Sequence, residues 1–123
     1  IKPFLSDTVF EQMVIWQQQN GWAVMISWLT EGTQRNITVR DISVLHDGHD
    51  HDWPVSGCDP CVSNQATIGA VHGGSGIVTD VVIEKLVAET SVWRPVWLGI
   101  DKNTWSSQGG GRLMNWTLRD VRR

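Results

Sequence analysis

Glycine-containing turns divide most of this chain into short stretches of strand-forming residues, and this pattern limits the folds open to it. Val, Ile, Thr and Trp, which favour strands, are concentrated in these stretches. Short strands at regular spacing with turns between them are typical of all-β domains. This pattern favours a β-sandwich or a β-barrel, and of the two we predict a single-domain antiparallel β-sandwich. Its predicted strands are Trp22–Leu29, Asn36–His46, Gln65–His72, Ile77–Val87, Val92–Leu98 and Arg112–Val121.

The first 21 residues differ from the rest in their pattern of apolar residues. They are predicted to be an N-terminal extension to a sandwich domain of residues 22–123. Phe10, Met13 and Val14 follow helical spacing, and a serine or aspartate before them can cap a helix. Ile15 and Trp16 blur that apolar face. The extension is therefore predicted to be a helix, with an extra edge strand as the alternative.

The strand Asn36–His46 changes phase in its middle. Ile37 and Val39 alternate on odd positions, whereas Ile42 and Val44 alternate on even positions. One extra residue near Asp41, a β-bulge, would produce this shift. The alternative is a strand that is apolar on both faces. With the preceding strand it is predicted to form a hairpin. We find no internal repeat.

Composition narrows the class of function. The 123 residues suit one domain, and the net charge of −3 argues against a nucleic-acid partner, whose binding domains are usually basic. No apolar run approaches the length of a membrane span. A secreted or a cytoplasmic location fits these features. No cofactor is predicted, and a homo-oligomer is left open.

A polar stretch after the second strand is rich in groups that bind metals. Imidazole and thiolate ligands suit zinc or copper, but the spacing differs from that of a zinc finger. The stretch is therefore a weak candidate metal site, and an exposed acidic loop is the favoured interpretation. Whether its cysteines are bridged is left open. The candidate ligands are His46, His49, His51, Cys58 and Cys61.

The sequence gives little support to an enzyme. There is no Gly-x-Ser-x-Gly motif, and Ser75, which lies between glycines, has no assigned base. The glycine-rich stretch around it lacks the lysine of a phosphate-binding loop. Two Asn-x-Thr triplets, at Asn36 and Asn115, fall inside predicted strands, which favours chance occurrence. We predict that the protein is not an enzyme.

The eight tryptophans are too many for one small core. Each indole buries a large area, and its N–H group needs a partner. Trp28 and Trp116 lie in the middle of predicted strands and are predicted to be core residues. Indoles that reach the surface suit either a membrane–water interface or a site where rings stack on sugars.

The order of several motifs resembles the aegerolysins, a family of small acidic β-sandwich proteins. A first apolar strand opens at Trp22 and leads through a glycine-containing turn into the phase-shifted second strand. Near the C-terminus, Pro95-Val96-Trp97 and Asn103-Thr104-Trp105 stand in the matching order, followed by a strand with Trp116 inside it. The resemblance covers roughly residues 22–121.

This resemblance implies a peripheral membrane protein that binds sphingolipid headgroups. Some members of the family recruit a perforin-like partner to make a pore, so the chain would be the targeting part of a two-component cytolysin. The residues that the resemblance assigns to lipid binding are Trp22, Trp97, Trp105, Lys102, Asn103 and His46. The rival hypotheses are a carbohydrate-binding lectin that uses the same indoles, and a metal-binding protein that uses the stretch from His46 to Cys61.

Overall fold

The structure is a computed structural model that describes residues 5–17, 22–28, 30–47, 66–89, 95–100 and 110–122. Within these ranges the regular structure is all β, and no helix occurs that is long and apolar enough to cross a membrane. The all-β class is therefore confirmed. The strands are β1 (Thr8–Gln17), β2 (Val24–Ser27), β3 (Thr33–Asp47), β4 (Ile68–His72), β5 (Ile77–Ala88), β6 (Val96–Ile100) and β7 (Arg112–Arg122).

The strands form two parallel sheets. The order is β1-β3-β5-β7 in the first, called sheet A, and β2-β4-β6 in the second, called sheet B. The chain alternates between the sheets, so each coil adds one strand to sheet A and, in the first three coils, one to sheet B. All pairings in the described residues are parallel. This is the arrangement of a β-solenoid, in which supersecondary units stack along one axis.

The predicted antiparallel pairing is wrong. β2 and β3 lie in different sheets and do not form the predicted hairpin. The N-terminal extension contributes β1, which pairs with β3 at the edge of sheet A, so the extra-strand alternative is confirmed and the helix is wrong. Parallel neighbours need a crossover between them, and sheet B supplies it here.

One core lies between the two sheets. Alternate side chains of every long strand point inward, and the central strands β3 and β5 contribute the most fully buried ones. Val24, Ile26 and Ile68 complete the core from sheet B. Burying an aliphatic side chain of this size stabilises a fold by roughly 1.5–3 kcal/mol. The core residues from sheet A are Ile37, Val39, Ile42, Val44, Val78, Val81, Ile83, Leu86 and Ala88.

The long strands of sheet A bend at two corners, and each corner is a column of residues with positive φ. The first column contains Asp7, Asn36, Asp80 and Asn115, with φ between 53° and 58°. The second contains Gln12, Asp41, Lys85 and Asp120, with φ between 51° and 55°. Short polar side chains tolerate this left-handed conformation better than other residues with a Cβ atom.

The second corner explains the phase change in β3. Arg40 pairs with Glu84 and Ile42 pairs with Leu86. Asp41 therefore lies opposite Lys85 on β5, and neither strand has an extra residue there. The predicted bulge is therefore a left-handed corner. Because one residue turns the backbone, the inward side chains change from odd to even positions in β3 and β5, and from even to odd positions in β1 and β7.

Polar side chains stack along the corners and between them. Asn36 Nδ2 donates to Asp7 Oδ1 at 2.8 Å, and Asn115 Nδ2 donates to Asp80 Oδ1. Between the corners, Arg40 Nε donates to Glu11 Oε2 at 2.7 Å. This hydrogen bond and the charge of Glu11 raise the pKa of Arg40.

A glycine precedes each of the strands β3, β5 and β7. Gly76 N donates to Thr30 O and Ile77 N to Gly32 O, each at 2.9 Å, and Arg112 N donates to Gly76 O at the same distance. A Cβ atom on Gly76 would lie 2.1 Å from Gly32 O, so the turns stack too closely for a side chain there.

These positions reveal an internal repeat that the sequence analysis missed. Gly32, Gly76 and Gly111 each stand four residues before a member of the first corner column and nine before a member of the second. The strands that follow them lie in register in sheet A. The repeat lacks a fixed period because the connections between its copies differ in length.

Substitution of Gly76 tests the close stacking of the turns. Gly76→Ala places its Cβ atom against backbone oxygens of the neighbouring turn, and we expect it to lower the free energy of unfolding by about 3 kcal/mol. Gly32→Ala is the matched control, since a Cβ atom there meets nothing within 4 Å. We expect that control to change stability by less than about 0.5 kcal/mol. Urea unfolding measures both, and equal effects would contradict the predicted stacking.

Lys85 offers a test of the second corner. Its φ of 52° is unfavourable for a long side chain, and its ion pair with Asp41, at 3.5 Å, is exposed. We expect Lys85→Asn to raise the free energy of unfolding by about 0.5–1 kcal/mol, because asparagine tolerates the left-handed conformation. Lys85→Gln removes the same charge, but glutamine does not favour the left-handed conformation. We therefore expect it to leave the free energy of unfolding, measured by chemical denaturation, unchanged.

Candidate functional site

The longest connection between described strands leaves sheet A at the end of β3. Residues 48–67 join β3 to β4, whereas residues 73–76 alone join β4 back to β5. In solenoid proteins, insertions of this kind lie on one side of the stack, which is often the binding side. The surface at the end of β3 is therefore a candidate for a binding site.

That surface is the outer side of sheet A after the second corner, which we call the aromatic facet. Ile42, Val44 and Leu86 point into the core there, so the residues between them point outward. Val14, Ser43, Val87 and Arg122 form one outward row across the four strands. Trp16 and His46 form a second row, and these six residues define the facet.

Trp16 and His46 form an aromatic pair on this facet. Their ring centroids lie 5.4 Å apart and their planes meet at 32°. A shift in register between Ile15 and Trp16 leaves Leu45 without a partner in β1, and this bulge brings His46 opposite Trp16. Bulges commonly re-aim a side chain in this way.

The facet combines apolar surface with hydrogen-bonding groups. Trp16 is 63 % exposed and Val14 is 67 % exposed, and because they are two residues apart on one strand they lie next to each other on the facet. The Ser43 hydroxyl and the His46 imidazole on the adjacent strand β3 supply donors and acceptors. The Arg122 guanidinium lies at the other edge of the sheet, where it also donates to Asp120. An indole can stack on a flat apolar face of a ligand while the hydroxyl and the imidazole bind its polar rim.

Two of the tryptophans assigned to lipid binding lie elsewhere, on the outer side of sheet B. Trp22 is 5 % exposed and packs with Ala66, Met25 and Trp97. Its ring lies over Gly69, where an added Cβ atom would meet Trp22 Cζ3 at 2.8 Å. Trp97 is half-buried against this cluster. Trp22 is therefore a packing residue in this structure.

The remaining predicted lipid contacts do not join that cluster in the described residues. His46 lies on sheet A, on the opposite side of the core from Trp22 and Trp97. Trp105, Lys102 and Asn103 lie outside the described residues. The structure thus brings Trp22 and Trp97 together and separates them from His46.

The candidate metal ligands are described only in part. His46 lies in β3, whereas His49, His51, Cys58 and Cys61 fall in the stretch that the structure does not describe. Among the residues that the structure describes, no three His, Cys, Asp or Glu side chains are grouped so that they could hold a metal ion.

Trp28 and Trp116, the predicted core tryptophans, are both half-buried. Trp116 packs against the core at the last coil, and its Nε1 donates to Val78 O at 3.2 Å. The sequence does not single out Trp16 as a surface group, because the helix predicted for residues 1–21 gives it no exposed face and only the edge-strand alternative does. The alternation of Val14 and Trp16 with Met13 and Ile15 was the available signal for an exposed strand face.

A serine–histidine pair in the interior is structural. His72 Nε2 lies 2.8 Å from Gly76 O, and Nδ1 lies 2.9 Å from Ser27 Oγ. Because the carbonyl only accepts, Nε2 carries the hydrogen, and in the neutral imidazole Nδ1 accepts from the Ser27 hydroxyl. Ser27 and His72 are fully buried, so a substrate cannot reach them. The pair joins β2 to the turn before β5.

Comparison of the chain with models of protein families, with curated proteins and with solved structures finds no match.

The different exposures of Trp16 and Trp22 give a direct test of the site. Trp16→Phe removes an indole that water reaches, so we expect it to lower the acrylamide quenching constant of the total tryptophan fluorescence. Trp22→Phe removes a shielded indole, so the fluorescence that remains should be quenched more strongly than in the unsubstituted protein. Changes in the reverse order would contradict the described exposures.

Proposed function

We propose that the protein binds carbohydrate, as a lectin does, through the aromatic facet. The observation that carries this proposal is the exposed Trp16 ring, held beside His46 and next to the hydroxyl of Ser43. The C–H faces of a sugar ring are apolar, and its hydroxyl groups form a polar rim. A ring platform with adjacent donors and acceptors matches both parts of such a ligand.

The repeated architecture supports an extended ligand. Rows of outward side chains cross sheet A from strand to strand, about 4.8 Å apart, on a surface that is continuous over the coils. The row Val14, Ser43, Val87 and Arg122 runs beside Trp16 toward the far edge of the sheet. We infer that an oligosaccharide, more than a single sugar, occupies this surface.

A sphingolipid headgroup is the second candidate, with a perforin-like protein as the further partner that the aegerolysin resemblance implies. The exposed apolar side chains Val14, Trp16 and Val87 favour it, since indoles and aliphatic groups both enter the membrane interface. It ranks second because Trp22, which the lipid hypothesis needs at the surface, is enclosed by its neighbours.

Binding measurements on Trp16 variants test the proposed function. An array of glycans selects an oligosaccharide, and calorimetric titration then gives its dissociation constant. We expect Trp16→Ala to weaken binding at least tenfold, which corresponds to about 1.4 kcal/mol, the scale of one lost stacking contact. Trp16→Phe keeps a ring and should lose less.

The matched control for this experiment is Val9→Ala. Val9 is on the same strand and is 58 % exposed, but it precedes the second corner and so lies off the facet. Its substitution should leave binding unchanged. Absence of binding to every glycan would overturn the carbohydrate proposal, and sedimentation with sphingomyelin–cholesterol vesicles in that case would favour the lipid headgroup.

A further inference from the structure

The two outer strands of sheet A each have one partner in the described part of the chain. β1 pairs with β3, and β7 pairs with β5. The other side of each strand presents backbone N–H and C=O groups that another strand can bind. Both are long strands, of 10 and 11 residues, so each edge is extensive.

The polar columns of sheet A begin and end on complementary groups. The column between the two corners alternates acidic and basic side chains, beginning with an acid on β1 and ending with a base on β7. The first corner column alternates aspartate and asparagine in the same way. Glu11 on β1 and Asp7, the residue before β1, therefore open the two columns with carboxylates, and β7 closes them with an amide and a guanidinium. The columns are Glu11, Arg40, Glu84, Arg119 and Asp7, Asn36, Asp80, Asn115.

The apolar columns also match at their two ends. Phe10 and Met13 on β1 are half-buried at one end of the core, and Leu118 and Val121 on β7 are half-buried at the other. Phe10 and Leu118 belong to one column, and Met13 and Val121 to another. If the two ends of the stack were placed together, these half-buried apolar side chains would therefore contact each other.

We propose that copies of this chain stack head to tail, with β1 of one copy pairing in parallel with β7 of the next. In the register that continues sheet A, Glu11 faces Arg119, Asp7 faces Asn115 and Phe10 faces Leu118 across the junction. The alternation of charge then runs on without interruption, as opposite charges on neighbouring strands stabilise a sheet.

This contact has two consequences. It is heterologous, because different surfaces of the two copies meet, so growth does not stop at a dimer. In the described part of the chain, sheet B has one strand fewer than sheet A, so the junction is formed by sheet A alone. The buried area is therefore small, and we expect association only at tens to hundreds of micromolar. This proposal does not depend on carbohydrate binding.

Sedimentation velocity on the 123-residue chain between about 5 and 500 µM tests the stacking. The average mass should rise with concentration past that of a dimer, and the rise should weaken with added salt because the junction contains an ion pair. A monomer at every concentration would overturn the proposal. An assembly that stops at a dimer would also overturn it, because that result indicates a symmetric contact.

Charge reversal at the two edges makes the test specific. Glu11→Arg places two arginines at the junction and Arg119→Glu places two glutamates there, so each variant alone should remain monomeric. An equimolar mixture should assemble, since the reversed β1 edge of one variant then meets the reversed β7 edge of the other, and the unchanged edges still match. Failure of the mixture to assemble would contradict the proposed register. Glu31→Arg, on an exposed turn, makes the same charge change and should assemble normally.

A neutral pair of variants covers the case in which a reversed charge disturbs folding, since Glu11 and Arg119 also neighbour Arg40 and Glu84 in their own chain. Circular dichroism identifies that case. Glu11→Gln and Arg119→Gln introduce no repulsion, and each variant alone should weaken association at least threefold. Association unchanged by both would overturn the proposal.

Discussion

Parallel stacking in register is the constraint on which the rest of this structure depends. Each residue of sheet A lies about 4.8 Å from its equivalents on the neighbouring strands. The side chains that share a column are therefore in contact and must be compatible in charge and size. Like charges at that distance destabilise a sheet, whereas opposite charges stabilise it. The alternation of Glu11, Arg40, Glu84 and Arg119 meets this condition. A slip of one coil would still place apolar residues beside apolar residues in the inward columns, but it would place acids beside acids, so the charges favour one stacking order.

The same constraint explains the corners. A bend in one strand must be matched by a bend in each neighbour, or the ladder of backbone hydrogen bonds is broken there. All four strands therefore turn at equivalent residues, and most of these are aspartate or asparagine. Their short side chains tolerate positive φ and bond to one another along the column, as Asn36 does to Asp7. The two Asn-x-Thr triplets, at Asn36 and Asn115, are explained as equivalent corners of the repeat.

The sequence predicted where most strands lie but not how they pair. Alternating apolar residues mark a strand with one buried face, which is typical of antiparallel sheets, whereas parallel sheets usually have both faces covered. Sheet A is parallel but buries only its inner face, so the alternation indicated the wrong pairing. The helix predicted near the N-terminus has a related cause. A corner places Phe10 and Met13 three residues apart on one face, which imitates helical spacing, and the same interval separates Val39 from Ile42. The interval recurs in every long strand, but the unequal connections between coils hide it from a search for a fixed period.

The site was harder to predict than the fold, because a count of tryptophans does not say on which side of a sheet each one lies. Trp22 and Trp97 cover the outer side of sheet B and shield each other, whereas Trp16 points outward from β1 and a bulge at Leu45 sets His46 beside it. That bulge depends on the pairing of β1 with β3, which the sequence did not predict. In a solenoid, stacking constrains the residue types of the inward and corner columns, whereas outward-pointing residues are less constrained. Outward positions that carry an exposed apolar side chain in place of a polar one, such as Trp16, are therefore the candidates for ligand binding.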